Sequence, residues 1–178
     1  LVFLYFTLSA REQFETISNG QASIWSGWLI GVFTSLLLFL SVLLHELAHS
    51  FVAIEEGIKV REITLFFLGG MTNLENECNT SKGSLKIAIS GPFVSLLLAF
   101  LMILFSNNIS LSNIIFSNLF NQVGRLNLFI GVFNLLPIIP LDGGVILKSL
   151  VWHFTGSKKA GIKVALASAR LISLFSIF

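Results

Sequence analysis

Apolar and polar positions alternate along this chain in long blocks, with oily stretches separated by short polar ones. A helix needs about 20 mostly apolar residues to cross a bilayer. Trp25 to Leu44 meets that length and runs directly into the polar segment 45–50. A second stretch runs from Leu85 to Phe105, with Gly91 and Pro92 inside it, and a third from Val123 to Ile139, closed by Pro137 and Pro140. A fourth begins near Ala160 and continues to the last residue, while Leu1 to Leu8 is too short to span and reads as the tail of a truncated helix. The pattern predicts a mostly α, polytopic transmembrane helix bundle of four complete spans plus a truncated N-terminal one. Between the first two complete spans, Ile63 to Leu68 is rich in strand-forming residues and is followed by Gly69-Gly70, which predicts a small β-hairpin or sheet.

Small residues recur at every fourth position in two of the spans, Gly91-Ser95-Ala99 and Gly161-Ala165-Ala169-Ser173. Such stripes let helix backbones approach closely in lipid, where burial from water cannot drive association. Composition agrees: 54% of the 178 residues are hydrophobic and 11% charged, against about 25% charged in a soluble domain. So little charge cannot coat a water-exposed globule. A formal net charge of +2 and the lack of a basic, aromatic-interleaved tract argue against nucleic acid as a partner. Cys78 is the only cysteine, which excludes an internal disulfide and a cysteine metal cluster. The chain starts at Leu1 and stops inside an apolar run, so residues 1–178 read as a single membrane-embedded domain cut from a longer protein. Lys148, Lys158, Lys159 and Lys163 cluster between the third and fourth spans, whereas the loop expected from Asn107 to Gln122 carries no charge. By the positive-inside tendency the lysine cluster, and with it the end of the first complete span, faces the cytosol.

The chemistry is concentrated at the end of that span, in His45-Glu46-Leu47-Ala48-His49. Residues four apart on a helix lie about 40° apart around the axis and about 6 Å along it, so both imidazoles can reach one zinc ion. Glu46 sits next to the first ligand, placed as a general base. Ionisable residues in a span are costly and mark function; the bland reading is a polar helix end facing water.

A catalytic zinc takes three protein ligands and one open position. A third histidine six residues after His49 is absent, since that position is Glu55. Glu55 and Glu56 follow too closely to fold back, Glu75 and Glu77 in a polar loop remain candidates, and His153 reads as an interfacial residue. Asp142 is the strongest candidate. It is the only aspartate and follows Pro137 and Pro140, where a helix must unwind. Irregular backbone at membrane depth is tolerated only inside protein or around a wet cavity. A helix N-cap is the alternative role for Asp142. Asn134 and Asn127 lie seven residues apart on one face of the third span, and Asn134 can serve either an oxyanion or an interhelical hydrogen bond.

Together, HELAH at 45–49, Ser90-Gly91-Pro92, and Asn134-Leu135-Leu136-Pro137 leading into Pro140-Leu141-Asp142-Gly143 resemble the site-2 protease family of intramembrane zinc metalloproteases. The resemblance implies that His45, His49 and Asp142 bind one Zn(2+), that Glu46 is the general base, and that Asn134 assists catalysis. It implies a multi-pass protein of a prokaryotic cell membrane or plastid-type membrane. Its substrates would be transmembrane proteins, such as anti-sigma factors or membrane-tethered regulators, cut in regulated intramembrane proteolysis. Some bacterial members carry paired CBS domains after the membrane core. One departure stands out: basic residues often follow the family's LDGG element closely, whereas Val145, Ile146 and Leu147 precede Lys148 here.

A peptide bond in a helix is shielded, so a substrate must unwind before attack. The predicted strands, with Leu65, Phe67, Gly69 and Gly70, offer an edge that an unwound substrate could join; a purely structural hairpin is the alternative. From other functional classes, a divalent-metal transporter or a non-catalytic membrane adaptor would also suit intramembrane histidines. The first needs a polar path that these spans lack, and an intact Glu46 argues against the second.

Overall fold

The computed structural model describes residues 2–17, 24–66, 69–108 and 114–175, and among them the chain is mostly helical. Its elements are α1 (Val2–Ile17), α2 (Ile24–Glu55), β1 (Val60–Phe66), β2 (Gly69–Leu74), α3 (Ser81–Asn108), α4 (Ile114–Asn134), α5 (Asp142–Thr155) and α6 (Lys158–Phe175). Two helices, over Trp25–Glu55 and Ser81–Asn108, are long and apolar enough to cross a membrane.

Local chemistry sets the boundaries. The 32-residue α2 continues through the polar segment 45–50 without interruption. It ends where Gly57 takes a φ of +78°, a left-handed conformation that suits a residue without a Cβ. Gly57 N–H then donates to Ile54 and Ile58 N–H to Ala53, closing a Schellman cap. Thr80 opens α3 by accepting the Gly83 N–H on its hydroxyl at 3.0 Å, and Ser157 does the same for Ala160 ahead of α6. At the end of α5, Gly156 turns left-handed and donates to the Trp152 carbonyl.

The strands pair antiparallel, with Leu65 opposite Gly70 and Phe66 opposite Gly69, and an irregularity between Val60 and Glu62. Phe67 lies outside the described residues.

Several boundaries differ from expectation. The N-terminal helix extends to Ile17, since Thr7, Ala10 and Phe14 recur on one buried face while Arg11 and Glu15 bond one turn apart at 2.7 Å. The chain expected to be a loop up to Gln122 is helical from Ile114, where the run Ile114–Phe120 is apolar enough to extend α4 with Leu119 buried. That helix ends at Asn134, short of Ile139, and a separate helix, α5, precedes the last one.

Contacts group the chain into two compact units, Leu1–Val42 with Leu97–Phe129, and Leu43–Leu96 with Ile130–Phe178. In the first, a Cβ on Gly31 would collide with the Thr7 carbonyl, so α1 and α2 touch backbone to backbone. Thr7 and Ser35 share a hydrogen bond of 2.9 Å there. Ser106 and Ser117 each donate to the other's carbonyl at 2.9 Å, and the fully buried Asn127 donates to Ser41 Oγ at 3.0 Å and to the Val123 carbonyl. In the second unit, Ser149 donates to Ser84 at 2.8 Å. On the exposed edge of that unit, Lys158 pairs with Glu77 at 2.6 Å, and this hydrogen bond holds the Glu77 carboxyl below its usual range.

The buried set is rich in alanine, serine and threonine, while Trp25, Phe51, Phe93, Phe100 and Phe129 stand on the surface. Only 33% of each spanning window is buried, unlike the core helix of a water-soluble protein. Interior hydroxyls and exterior phenylalanines suit a lipid solvent.

α5 and α6 touch through Gly161, where an added Cβ would run into the carbonyl of Lys148. Gly161→Val should therefore lower the unfolding midpoint in detergent, with an overpacking cost of about 1–3 kcal/mol. An unchanged midpoint would show that the two backbones do not meet.

Candidate metal centre

The second unit contains the residues that the sequence singles out. His45 and His49 project from the same side of α2 and are buried. Their Nε2 atoms lie 3.2 Å apart, and the rings meet edge to face, 4.9 Å between centroids. Asp142 arrives from the start of α5. One carboxylate oxygen lies 3.2 Å from His45 Nε2 and the other 3.3 Å from His49 Nε2.

Asp142 reaches this position because the backbone between α4 and α5 is broken. Leu135 and Leu136 close α4 with short-range hydrogen bonds to Val132 and Phe133. Pro137 and Pro140 follow, with a cis bond before Pro140. The Leu141 N–H then closes a turn onto the Ile138 carbonyl at 2.8 Å. Gly143 and Gly144 start α5 so close to this segment that a Cβ on the first would strike the carbonyls of Leu135 and Leu136. Ser168 of α6 donates to the Pro137 carbonyl at 2.5 Å and ties the break to the next helix. Asp142 is the first residue of α5, not its cap: Leu141 occupies the cap position and makes no side-chain capping bond. The carboxylate is committed to the histidines instead.

α3 forms the back of the centre. His49 Nδ1 donates to the Ile87 carbonyl at 2.6 Å, and Ser90 Oγ donates to the same carbonyl at 2.7 Å. His45 Nδ1 meets Ser95 Oγ at 2.9 Å. Between these anchors lies Gly91, where a Cβ would collide with the Nε2 atoms of both histidines. The stripe Gly91-Ser95-Ala99, expected to serve helix packing, thus has its first two members at the histidines. No sequence signal marks the Ile87 carbonyl, and the serine reads as one small residue among others.

These donors fit zinc. Zinc bonds to nitrogen and oxygen of roughly 2.0–2.2 Å in a tetrahedron place ligand atoms roughly 3.3–3.5 Å apart, close to the 3.2 Å between the two Nε2 atoms. Each Nε2 has a different Asp142 oxygen at 3.2 or 3.3 Å, and one ligand atom from each residue lies within 4.8 Å of the others. Two imidazoles and one carboxylate form a donor set of the catalytic type, with a fourth position left open. The three are the group of metal-capable side chains found among the described residues.

Other candidates have different partners. Glu75 pairs with Arg61 at 3.8 Å, Glu77 with Lys158 and Glu56 with Lys86 at 2.7 Å, while His153 Nδ1 lies 3.3 Å from Ser81 Oγ. Glu46 is buried and adjoins His45 in sequence. Asn134, half-buried, donates from Nδ2 to the Ile130 carbonyl at 3.1 Å. Asn127 bonds to Ser41 as an interhelical tie. Leu65, Gly69 and Gly70 lie on the paired strands, described by their backbone alone.

Comparison with known proteins identifies relatives of the chain. The family model for peptidase family M50 matches residues 33–111 and 106–177. The chain is 44% identical over 153 residues to the sll0528 protein of Synechocystis sp., covering 86% of this chain and 39% of that one. It is 34% identical over 145 residues to zinc metalloprotease MJ0392 of Methanocaldococcus jannaschii, covering 80% and 42%. The chain thus spans about two fifths of the length of these curated relatives. A solved structure, the site-2 protease from Methanocaldococcus jannaschii, superposes with a TM-score of 0.61 at 34% identity, covering 92% of this chain and 70% of the other. With a matching family model over most of its length and a shared fold, the chain belongs to peptidase family M50.

Proposed function

We propose that this chain carries the catalytic core of an intramembrane zinc endopeptidase, which hydrolyses peptide bonds in or beside transmembrane segments of substrate proteins. The observation that carries this reading is the convergence of His45 Nε2, His49 Nε2 and the Asp142 carboxylate on one point, against a helix that has no side chain at Gly91. Zinc held there supplies a Lewis acid that polarises a carbonyl and acidifies water. The chain's own residues supply the rest. Glu46 takes the proton of the attacking water on its carboxylate and passes it to the leaving amine. Asn134 offers an amide proton to the oxygen that becomes negative, in addition to the one it gives Ile130. Burial of both histidines and Glu46 keeps bulk water from competing for these contacts.

The substrate class proposed is a transmembrane protein, among them anti-sigma factors or membrane-tethered regulators. Among the described residues each strand of the two-stranded sheet is paired on one side only, and the outer edge of β1 at Leu65 or of β2 at Gly69 and Gly70 can take up an unwound substrate by strand addition. In the membrane, α2, α3, α4 and α6 serve as the four spans, with the hairpin following α2. The cluster of Lys148, Lys158, Lys159 and Lys163 supports an orientation with the histidine-bearing end of α2 toward the cytosol.

Glu46→Gln should retain zinc and lose cleavage of a model transmembrane substrate by about 10²–10⁴-fold; a transporter or an adaptor would be indifferent to the change. Gly91→Ala fills the gap that the reading requires, so purified protein should lose its stoichiometric zinc while its helix content stays constant by circular dichroism. A variant that binds zinc normally would place the metal elsewhere. Leu65→Pro interrupts the strand and should slow turnover with zinc content unchanged; undiminished turnover would refute the role of the edge.

A further inference from the structure

Both histidines are held from behind by one helix, but by different means. The Ile87 carbonyl can only accept, so His49 carries its proton on Nδ1 and keeps the Nε2 lone pair for the centre. His45 Nδ1 faces a hydroxyl, which can accept or donate, at 2.9 Å. Ser95 is 1% exposed and His45 4%. Neither can exchange this bond for one with water, and in such surroundings an unmet polar atom is costly. The Gly131 backbone comes close to Ser95, since a Cβ added there would lie 3.3 Å from Ser95 Cβ.

We propose that Ser95 is the positioning residue of the centre: its hydroxyl accepts the Nδ1 proton of His45 and so fixes the tautomer and ring rotation that present the Nε2 lone pair to zinc. Ile87, Gly91 and Ser95 are spaced four residues apart, so one face of α3 sets both imidazoles and clears the space in front of them. Partners of this kind behind ligating histidines typically govern affinity by about 10–100-fold. The inference rests on the reading of His45 as a zinc ligand.

The test uses the full chain in detergent. Zinc affinity is measured by chelator competition, and imidazole tautomers are read from ¹⁵N spectra of the zinc-loaded protein, which has three histidines to assign. Ser95→Ala should weaken zinc binding by about 10–100-fold and disturb the His45 resonances while sparing those of His49. Ser149→Ala removes an equally buried hydroxyl that is bonded to Ser84 rather than to a histidine, and should keep the wild-type affinity. Affinity of Ser95→Ala within about twofold of wild type, below the range for such partners, would overturn the inference, as would equal losses in both variants. The wild-type spectrum decides without any variant: a zinc-loaded His45 protonated on Nε2 would end the proposal. Wild-type protein that takes up no zinc would overturn the metal-centre reading, and this inference with it.

Discussion

Lone pairs that converge in a dry place repel one another unless a cation lies between them. Two imidazole nitrogens and a carboxylate lie within 3.3 Å of each other here, with the histidines buried and the carboxylate half-buried. Their arrangement is favourable as a cradle for positive charge and unfavourable as ordinary packing. The surrounding second unit is explained by that requirement. α2 supplies two rings one turn apart, α3 supplies their anchors and an empty place at Gly91, and the break between α4 and α5 supplies the carboxylate.

The break is the most expensive part of this design in an apolar solvent, since it frees backbone groups that a helix would satisfy. The chain meets the need locally. Short turns close over Leu135–Leu141, and the Pro137 carbonyl receives its hydrogen bond from Ser168. Elsewhere the same economy appears as serines and threonines that bond to a carbonyl one turn earlier, as Thr34, Ser41 and Ser149 do. Part of the interior polarity is thereby absorbed within the helices, and large apolar side chains stand on the outside.

The candidate metal ligands were legible in the sequence because their geometry is local or forced. Four-residue spacing on a helix puts His45 beside His49 with no tertiary information, and two prolines before a lone aspartate announce a break with a charge behind it. Glu75 and Glu77 stayed open as candidates, because only the fold shows them paired with Arg61 and Lys158. The extension of α1 through Arg11 and Glu15, and the start of α4 at Ile114, were hidden by polar residues that an apolar-run criterion rejects but a helix with one buried face accommodates. Ser95 was legible only as a small residue, since its partner lies fifty positions away.

The anchor on His49 differs in kind from the one on His45. Its acceptor is the main-chain oxygen of Ile87, which every amino acid possesses. Position 87 can therefore change its side chain freely without altering the chemistry it performs. A catalogue of substitutions, however complete, would pass over this oxygen in silence, and only a backbone edit such as an amide-to-ester exchange would make it speak.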